Sequence, residues 1–231
     1  MTAPTLRAAR RSGGAASVEL NKAHWPVTVL GPGRRIGLWL QGCSIHCPGC
    51  VSQDTWAKDA TRRIPVADLI AWCRRVSGGT PDGVTISGGE PFDQPAGLRA
   101  ILVGLGAWRR EKALDFDILC YSGYALGKLE KRHADLLALL DAVIPEPYLD
   151  QLPQGNVWRG SRNQPLVPLS ERGRTRYAAY VDAPVEGKQM QASVEGGRVW
   201  MIGIPGRGDM AAVEALCASR GLALTEVSWR R

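Results

Sequence analysis

Between Ile36 and Ile144 the chain alternates short apolar runs with stretches of helical period, and few folds satisfy such a pattern. Ile36-Gly37-Leu38-Trp39-Leu40 reads as a buried strand. Val66, Leu69, Ile70 and Cys73 fall at i, i+3, i+4 and i+7, which predicts a helix over 64–76. Gly83–Ser87 reads as a second short strand between turn signals. Leu98, Ile101, Leu102 and Leu105 then predict a helix over 95–110. A strand at 116–121, a Leu-rich helix at 126–140 and a short strand at 141–144, ended by Pro145, complete the series. Alternation of this kind demands a parallel sheet with crossover helices, hence an α/β fold. It also places function at the carboxyl ends of the strands.

Beyond 145 the pattern changes. Residues 145–176 read as loop, with five Pro and many polar groups. Residues 177–182 and 190–204 read as strands, the latter turning at Glu195-Gly196-Gly197. A helix at 209–220 and a strand at 222–229 follow, so the tail is expected to be a small β-rich or βαβ appendage. The division expected is a flexible extension at 1–20, a core at 21–169 and an appendage at 170–231. A length of 231 residues suits one domain so extended, and 45% hydrophobic with 22% charged residues is a globular composition. No run of about 18 apolar residues is present for a membrane-spanning helix.

The formal charge of +7 is unevenly placed. Arg159, Arg162, Arg172, Arg174 and Arg176 face one acid, Glu171. Arg7, Arg10 and Arg11 mark one end and Arg230 and Arg231 the other. A nucleic-acid partner is one reading, and solvated ends with one basic loop is the plainer one. Residues 1–20 lack the apolar stretch of an export signal, so a cytoplasmic protein with reduced thiols is expected.

Six Cys are too sparse to build a disulfide framework. Cys73, Cys120 and Cys217 fall on apolar faces and read as core thiols. Cys43, Cys47 and Cys50 instead share one loop, Cys43-Ser44-Ile45-His46-Cys47-Pro48-Gly49-Cys50, directly after the first strand. Three thiolates so spaced can hold three corners of a [4Fe–4S] cube and leave the fourth iron for a small molecule. The competing reading adds His46 for a structural zinc ion, though two adjacent ligands would strain the loop. With the basic charge, that reading gives a zinc-dependent nucleic-acid-binding module, which leaves Gly88-Gly89-Glu90 unexplained.

The C-x3-C-x2-C loop resembles the signature of the radical S-adenosylmethionine (SAM) superfamily. Ser87-Gly88-Gly89-Glu90-Pro91 resembles that superfamily's GGE motif after the second strand. Gly31-Pro32-Gly33-Arg34, Trp39-Leu40-Gln41-Gly42-Cys43, Cys47-Pro48-Gly49-Cys50 and Thr55-Trp56 are similar to the anaerobic ribonucleotide reductase activase group. So are Tyr121-Ser122-Gly123-Tyr124 and Arg159-Gly160-Ser161-Arg162-Asn163-Gln164. The resemblance covers about residues 25–168.

The resemblance implies a partial (β/α) TIM-type barrel holding a [4Fe–4S] cluster and SAM. Cys43, Cys47 and Cys50 would ligate the cluster, and Gly88, Gly89 and Glu90 would position the methionine of SAM. Ser122 is either a ribose contact or a turn residue. Arg159, Ser161 and Asn163 either meet the SAM carboxylate or a partner, or form a solvated basic loop. His46 either hydrogen-bonds near the cluster or steadies its loop, while Trp39 reads as core and Trp56 as packing for that loop. The implied partners are a flavodoxin or ferredoxin as electron donor and a glycyl radical enzyme as substrate. Two departures leave a peptide or small-molecule substrate as the alternative: Pro145-Glu146-Pro147-Tyr148 replaces an Asp-Gly-x-Phe-like segment, and the chain continues well past Gln164.

Overall fold

The computed structural model describes residues 16–187, 190–195 and 198–230. In chain order the elements are β1 (Ser17–Val27), β2 (Arg35–Leu40), β3 (Arg63–Pro65), α1 (Val66–Val76), β4 (Gly83–Gly88), α2 (Pro95–Glu111), β5 (Asp117–Tyr121), α3 (Leu126–Leu137), β6 (Ala142–Ile144), β7 (Val167–Pro168), α4 (Glu171–Tyr177), β8 (Met190–Glu195), β9 (Arg198–Gly203) and α5 (Asp209–Ser219). The first seven strands form one sheet in the order β3-β1-β2-β4-β5-β6-β7. Its centre, β2-β4-β5-β6, is parallel throughout. The flanks β1 and β7 run antiparallel to it. The fold is therefore mixed α/β around a parallel-rich sheet, and α1, α2 and α3 supply the crossovers that parallel neighbours require.

Side-chain alternation sends the two faces of the sheet to different partners. Ile36, Leu38, Leu40, Val84, Ile86, Ile118 and Cys120 meet the helices, where Leu69, Leu98, Ile101, Leu105 and Leu136 are also buried. The opposite face is covered by the C-terminal third. Leu119, Ala142 and Ile144 pack with Val157, Trp158, Leu166 and Tyr177. Trp39 and Val27 pack with Ile202 of β9.

One buried polar group crosses that second face. Arg35 opens β2, and its guanidinium reaches over Gly83 to Asp117 at the start of β5, with bonds of 3.0 Å and 2.6 Å. A Cβ on Gly83 would lie 2.0 Å from Arg35 Nη1, so only glycine lets the side chain pass. Arg35 Nε donates to Thr85 Oγ1 at 2.7 Å. Tyr177 closes the network from α4 by donating its hydroxyl to Asp117 Oδ1.

Several expectations need correction. The strand foreseen at 177–182 is the end of α4 followed by a 3-10 turn at Ala178–Tyr180. Ser170 caps that helix by accepting the Gly173 N–H, which starts it before the apolar residues begin. Residues 222–229 carry no strand; their Ser228 and Trp229 carbonyls instead accept hydrogen bonds from Gln53. Cys217 is half-exposed rather than core, whereas Cys73 and Cys120 are buried. β1 begins at Ser17, with Val18 and Leu20 buried, so the sheet takes in residues that composition assigned to a flexible extension. The rest of that extension, up to residue 15, lies outside the described residues.

Candidate functional site

The cysteine loop leaves the carboxyl end of β2 and is closed at a neck. Gly42 N–H donates to Thr55 C=O at 2.7 Å, and Cys43 N–H donates to Trp56 C=O at 3.0 Å. Gln41 reinforces it from beneath: its Nε2 donates to the carbonyls of Asp54 at 3.3 Å and Ala57 at 2.5 Å. The neck rests on the turn after β4. Glu90 N–H donates to Gly42 C=O at 2.8 Å, and Gly89 N–H donates to Leu40 C=O at 2.9 Å. A Cβ on Gly88 would lie 2.3 Å from the Leu40 nitrogen, and one on Gly89 2.0 Å from the Gly42 oxygen. The glycine pair is thus demanded by the close approach of two backbones.

Cys43, Cys47 and Cys50 are all free thiols and half-exposed. Partial burial raises all three above the usual thiol range. Backbone N–H groups oppose that shift: those of His46 and Ile45 at Cys43, of Tyr148 at Cys47 and of Ser52 at Cys50. Trp56 also hydrogen-bonds Cys50 through its side chain. His46 stacks on the Trp56 ring with centroids 4.8 Å apart, so its imidazole braces the loop from outside. Trp56 is the loop packing that the sequence suggested, and Trp39 is core.

This donor set fits a [4Fe–4S] cluster. Three thiols share one loop, with N–H donors aimed at their sulfurs, which is how cluster thiolates are held and their potentials tuned. Among the described residues, no three Cys, His, Asp or Glu side chains converge as one bound ion requires. A cube needs no such convergence, since each thiolate takes a different iron. Metal ligation deprotonates a thiol outright, so the raised values do not oppose it.

Glu90 ties three strand ends together. It is buried and accepts from Phe92 N–H at 3.0 Å, Ser122 Oγ at 2.9 Å and Gly123 N–H at 2.7 Å. Burial pushes its carboxyl up to about 7 against those three donors. Ser122 Oγ also accepts the Tyr124 N–H at 3.0 Å, so its hydroxyl is engaged within the turn after β5. Tyr124 in turn donates to Asp93 Oδ1 at 2.5 Å. Asp93 accepts the Ser44 N–H at 2.7 Å, which fastens the loop directly beside Cys43.

The late basic stretch lies on the far side of the loop. Arg159 is buried, and its guanidinium donates to the carbonyls of Val157, Tyr180 and Val181. Ser161 Oγ accepts the Leu149 N–H at 3.1 Å, and Asn163 Nδ2 donates to Pro147 C=O at 2.9 Å. Asn163 Oδ1 is buried with no hydrogen-bond partner among the described residues. Gln164 Nε2 donates to Glu146 C=O at 2.9 Å. Ser161, Asn163 and Gln164 hold the segment Glu146–Asp150, whose Tyr148 N–H reaches Cys47, and Arg159 makes no bond to it among the described residues. The structure therefore brings Cys43, Cys47, Cys50, Gly88, Gly89, Glu90 and Ser122 into one connected site. Ser161 and Asn163 join it through the 146–150 segment. Asp93 and Ser44, which no spacing rule marks, join it through tertiary bonds alone.

A family description for a 4Fe-4S single cluster domain matches residues 29–167. The anaerobic ribonucleoside-triphosphate reductase-activating protein of Vibrio cholerae is 32% identical over 145 residues, covering 61% of this chain and 92% of that protein. The protein of the same description from Escherichia coli K12 is 29% identical over 145 residues, covering 61% and 93%. A pyruvate formate-lyase-activating enzyme of Clostridium pasteurianum is 34% identical over 119 residues, covering 48% and 47%.

Proposed function

The chain belongs to the family of anaerobic ribonucleoside-triphosphate reductase-activating proteins and carries a 4Fe-4S single cluster domain, and from that premise we propose how its own residues do the work. It is a radical SAM enzyme of activating type, with Cys43, Cys47 and Cys50 as the three cluster ligands. One observation supports this most: the loop bearing the three thiols is seated, through Gly42, on Gly88-Gly89-Glu90 at the adjacent strand end. When bound, the cluster and SAM supply a one-electron reductive cleavage that yields a 5′-deoxyadenosyl radical for hydrogen abstraction.

Gly88, Gly89 and Glu90 form the edge that receives the methionine end of SAM. Glu90 acts there as a positioning residue, since its carboxylate is turned into the protein toward Ser122 and Gly123. Ser122 shapes the same turn, where the ribose contact is assigned. Ser161 and Asn163 support the segment at Glu146–Asp150, while Arg159 fixes the turn at Tyr180–Val181 against Val157. The parallel strands β2, β4, β5 and β6 with their helices make one arc of a (β/α) barrel. Residues 21–169, with the start of β1 at 17–20, form the catalytic core and 170–231 the added part, with α4 packed back onto the sheet.

The substrate is a protein partner of the glycyl radical class, the electron donor a flavodoxin or ferredoxin, and the compartment the cytoplasm. No helix among the described residues is long and apolar enough to cross a membrane. A peptide or small-molecule substrate is the second reading. It is favoured by Pro145-Glu146-Pro147-Tyr148, which differs from the activase pattern and lies against Cys47.

Anaerobic reconstitution tests the proposal. The protein is expected to take up about four iron and four sulfide per chain, and once reduced to form 5′-deoxyadenosine from SAM. Cys47→Ala is expected to abolish that cleavage. A colourless protein holding one zinc ion, or unchanged cleavage in Cys47→Ala, overturns the ligand assignment.

A further inference from the structure

The family match ends at residue 167, yet the last residues of the chain return to the cysteine loop. Gln53, three positions after Cys50, donates its backbone N–H to Ser228 C=O at 2.7 Å and its Nε2 to Trp229 C=O at 3.0 Å. Ser228 Oγ donates to Val51 C=O at 2.9 Å. These bonds run in both directions between two short segments about 175 residues apart in sequence. The terminal segment is fixed in turn to α5. The Trp229 indole donates to Glu214 Oε1 at 2.5 Å, and Arg230 pairs with Glu214 Oε2 at 3.2 Å.

The same part of the chain touches the other flank of the loop. Arg207 donates to Asp150 C=O at 2.5 Å. The Asp150 side chain fills the space beside Gly49, where a Cβ would lie 2.7 Å from Oδ1. The whole unit is fastened to the sheet elsewhere. Gln191 of β8 donates to Pro26 C=O at 2.7 Å and accepts the Thr28 N–H at 3.0 Å, while Ile202 of β9 is buried against Trp39.

We propose that residues 190–195 and 198–230 are a latch that positions the Cys50 side of the cluster loop, with Ser228, Trp229 and Glu214 as its positioning residues. The Cys43 half is already fixed within the core, by Asp93 on Ser44. On the Cys50 side the core is reached again at Asp54, whose carboxylate pairs with Lys22 at 2.9 Å, and at Thr55, whose carbonyl accepts the Gly42 N–H. Between Cys50 and Asp54 the loop has a local turn, in which Thr55 N–H and Oγ1 donate to Ser52 C=O at 3.0 Å and 2.6 Å. The latch supplies the long-range tie at Val51–Gln53. Its consequence for the cluster rests on the ligand reading above; its effect on the loop does not.

Hydrogen–deuterium exchange on the metal-free full-length chain is the direct test. Glu214→Ala removes the acceptor for the Trp229 indole and the partner of Arg230. It is expected to speed exchange of the Val51–Trp56 amides about tenfold, as loss of a local tie does, with the Val84–Ile86 amides of β4 unchanged. Glu214→Gln keeps the indole acceptor and is expected to restore most of the protection. Trp229→Ala is expected to match Glu214→Ala. In reconstituted protein, chelator-driven iron loss should follow the same order, and the spectrum of the reduced cluster should broaden in the Ala variants only. Unchanged exchange at 51–56 in both Ala variants, or an equal rise in β4, overturns the proposal. If the wild-type chain takes up no cluster while 51–56 still responds, the latch stands and the ligand reading falls.

Discussion

Gly89→Ala separates two reasons for a glycine in the Gly88-Gly89-Glu90 segment. If the residue only admitted a ligand, the metal-free protein would tolerate a methyl group there. The structure says otherwise. The new Cβ would lie 2.0 Å from the Gly42 oxygen, 2.6 Å from the Gly42 carbonyl carbon and 3.1 Å from the Thr55 oxygen. All three are backbone atoms of the loop neck, so no side chain can swing aside. The neck has to retreat by about 1 Å to restore contact, at an overpacking cost of about 1–3 kcal/mol. That movement also pulls on Glu90 N–H to Gly42 C=O and Gly42 N–H to Thr55 C=O, at 2.8 Å and 2.7 Å. Each such bond contributes about 1 kcal/mol net. The total, about 3–5 kcal/mol, is a large share of an ordinary domain's stability. Urea unfolding of the metal-free protein measures it, and iron content after reconstitution should fall in parallel because the thiols hang from the displaced neck. Gly127→Ala is the control, since nothing lies within 4 Å of a Cβ there. A Gly89→Ala protein within 1 kcal/mol of wild type, with full iron content, refutes the reasoning.

The remaining predictions concern other groups. Gly127→Ala, in the first turn of α3, is expected to stabilise the protein by about 0.5 kcal/mol in the same urea experiment, through helix propensity alone. Asp117→Ala is expected to cost about 3–5 kcal/mol, because it leaves the Arg35 guanidinium buried without its counter-charge; urea midpoints at neutral pH check it. Glu90 binds a proton up to about pH 7 when folded but releases it near 4.5 when unfolded. Its contribution is therefore complete below about pH 4.5 and is lost as pH rises toward 7, a change of about 3 kcal/mol. Stability of the metal-free protein measured from pH 5 to 8 should fall less steeply in Glu90→Gln than in wild type, and equal slopes would rule this out. Tyr124→Phe deletes the bond to Asp93 and is expected to cost about 1 kcal/mol, with faster amide exchange at Ser44 as its local sign.

The parts legible in the sequence are those where one short segment determines its own geometry. Helices α1 to α3 and strands β2, β4, β5 and β6 fall where the 3.6-residue period and the short apolar runs put them. The hairpin strands β8 and β9 likewise flank the expected turn, whose two glycines lie outside the described residues. β1 is hard to see in the sequence although Val18 and Leu20 alternate with Ser17, Glu19 and Asn21. Its neighbours in sequence are Arg- and Ala-rich, and that composition masked a period of two. At 177–182 the aromatic and β-branched residues suggested a strand, but a Ser cap seven residues earlier had already set a helix. The cysteine loop and the glycine pair were legible as motifs. Their mutual contact was not, because it depends on the parallel register that sets Leu40 beside Gly88. Arg159 shows the limit most clearly. Sequence marks it as a basic loop residue, whereas the fold turns it inward onto three carbonyls.

Two motifs that look independent in the sequence therefore behave as one mechanical unit. The loop neck at Gly42 accepts the Glu90 backbone N–H, and the Glu90 carboxylate accepts from Ser122 and Gly123, so the ends of β2, β4 and β5 meet at one buried residue. A group bound at the cysteines and a group bound along the Gly88–Glu90 edge would be registered against each other by that connection rather than by loop stiffness alone. Such registration matters for hydrogen abstraction, where a misplacement of about 1 Å costs on the order of a hundredfold in rate. The core thus fixes the Cys43 half of the loop against the strand ends. The Cys50 half is tied to a part of the chain that lies beyond the family match. Precision within the core and tuning by the appendage are separable by this layout. A side chain at Gly89 should disturb both groups together, whereas substitutions at Glu214 should disturb the Cys50 side first.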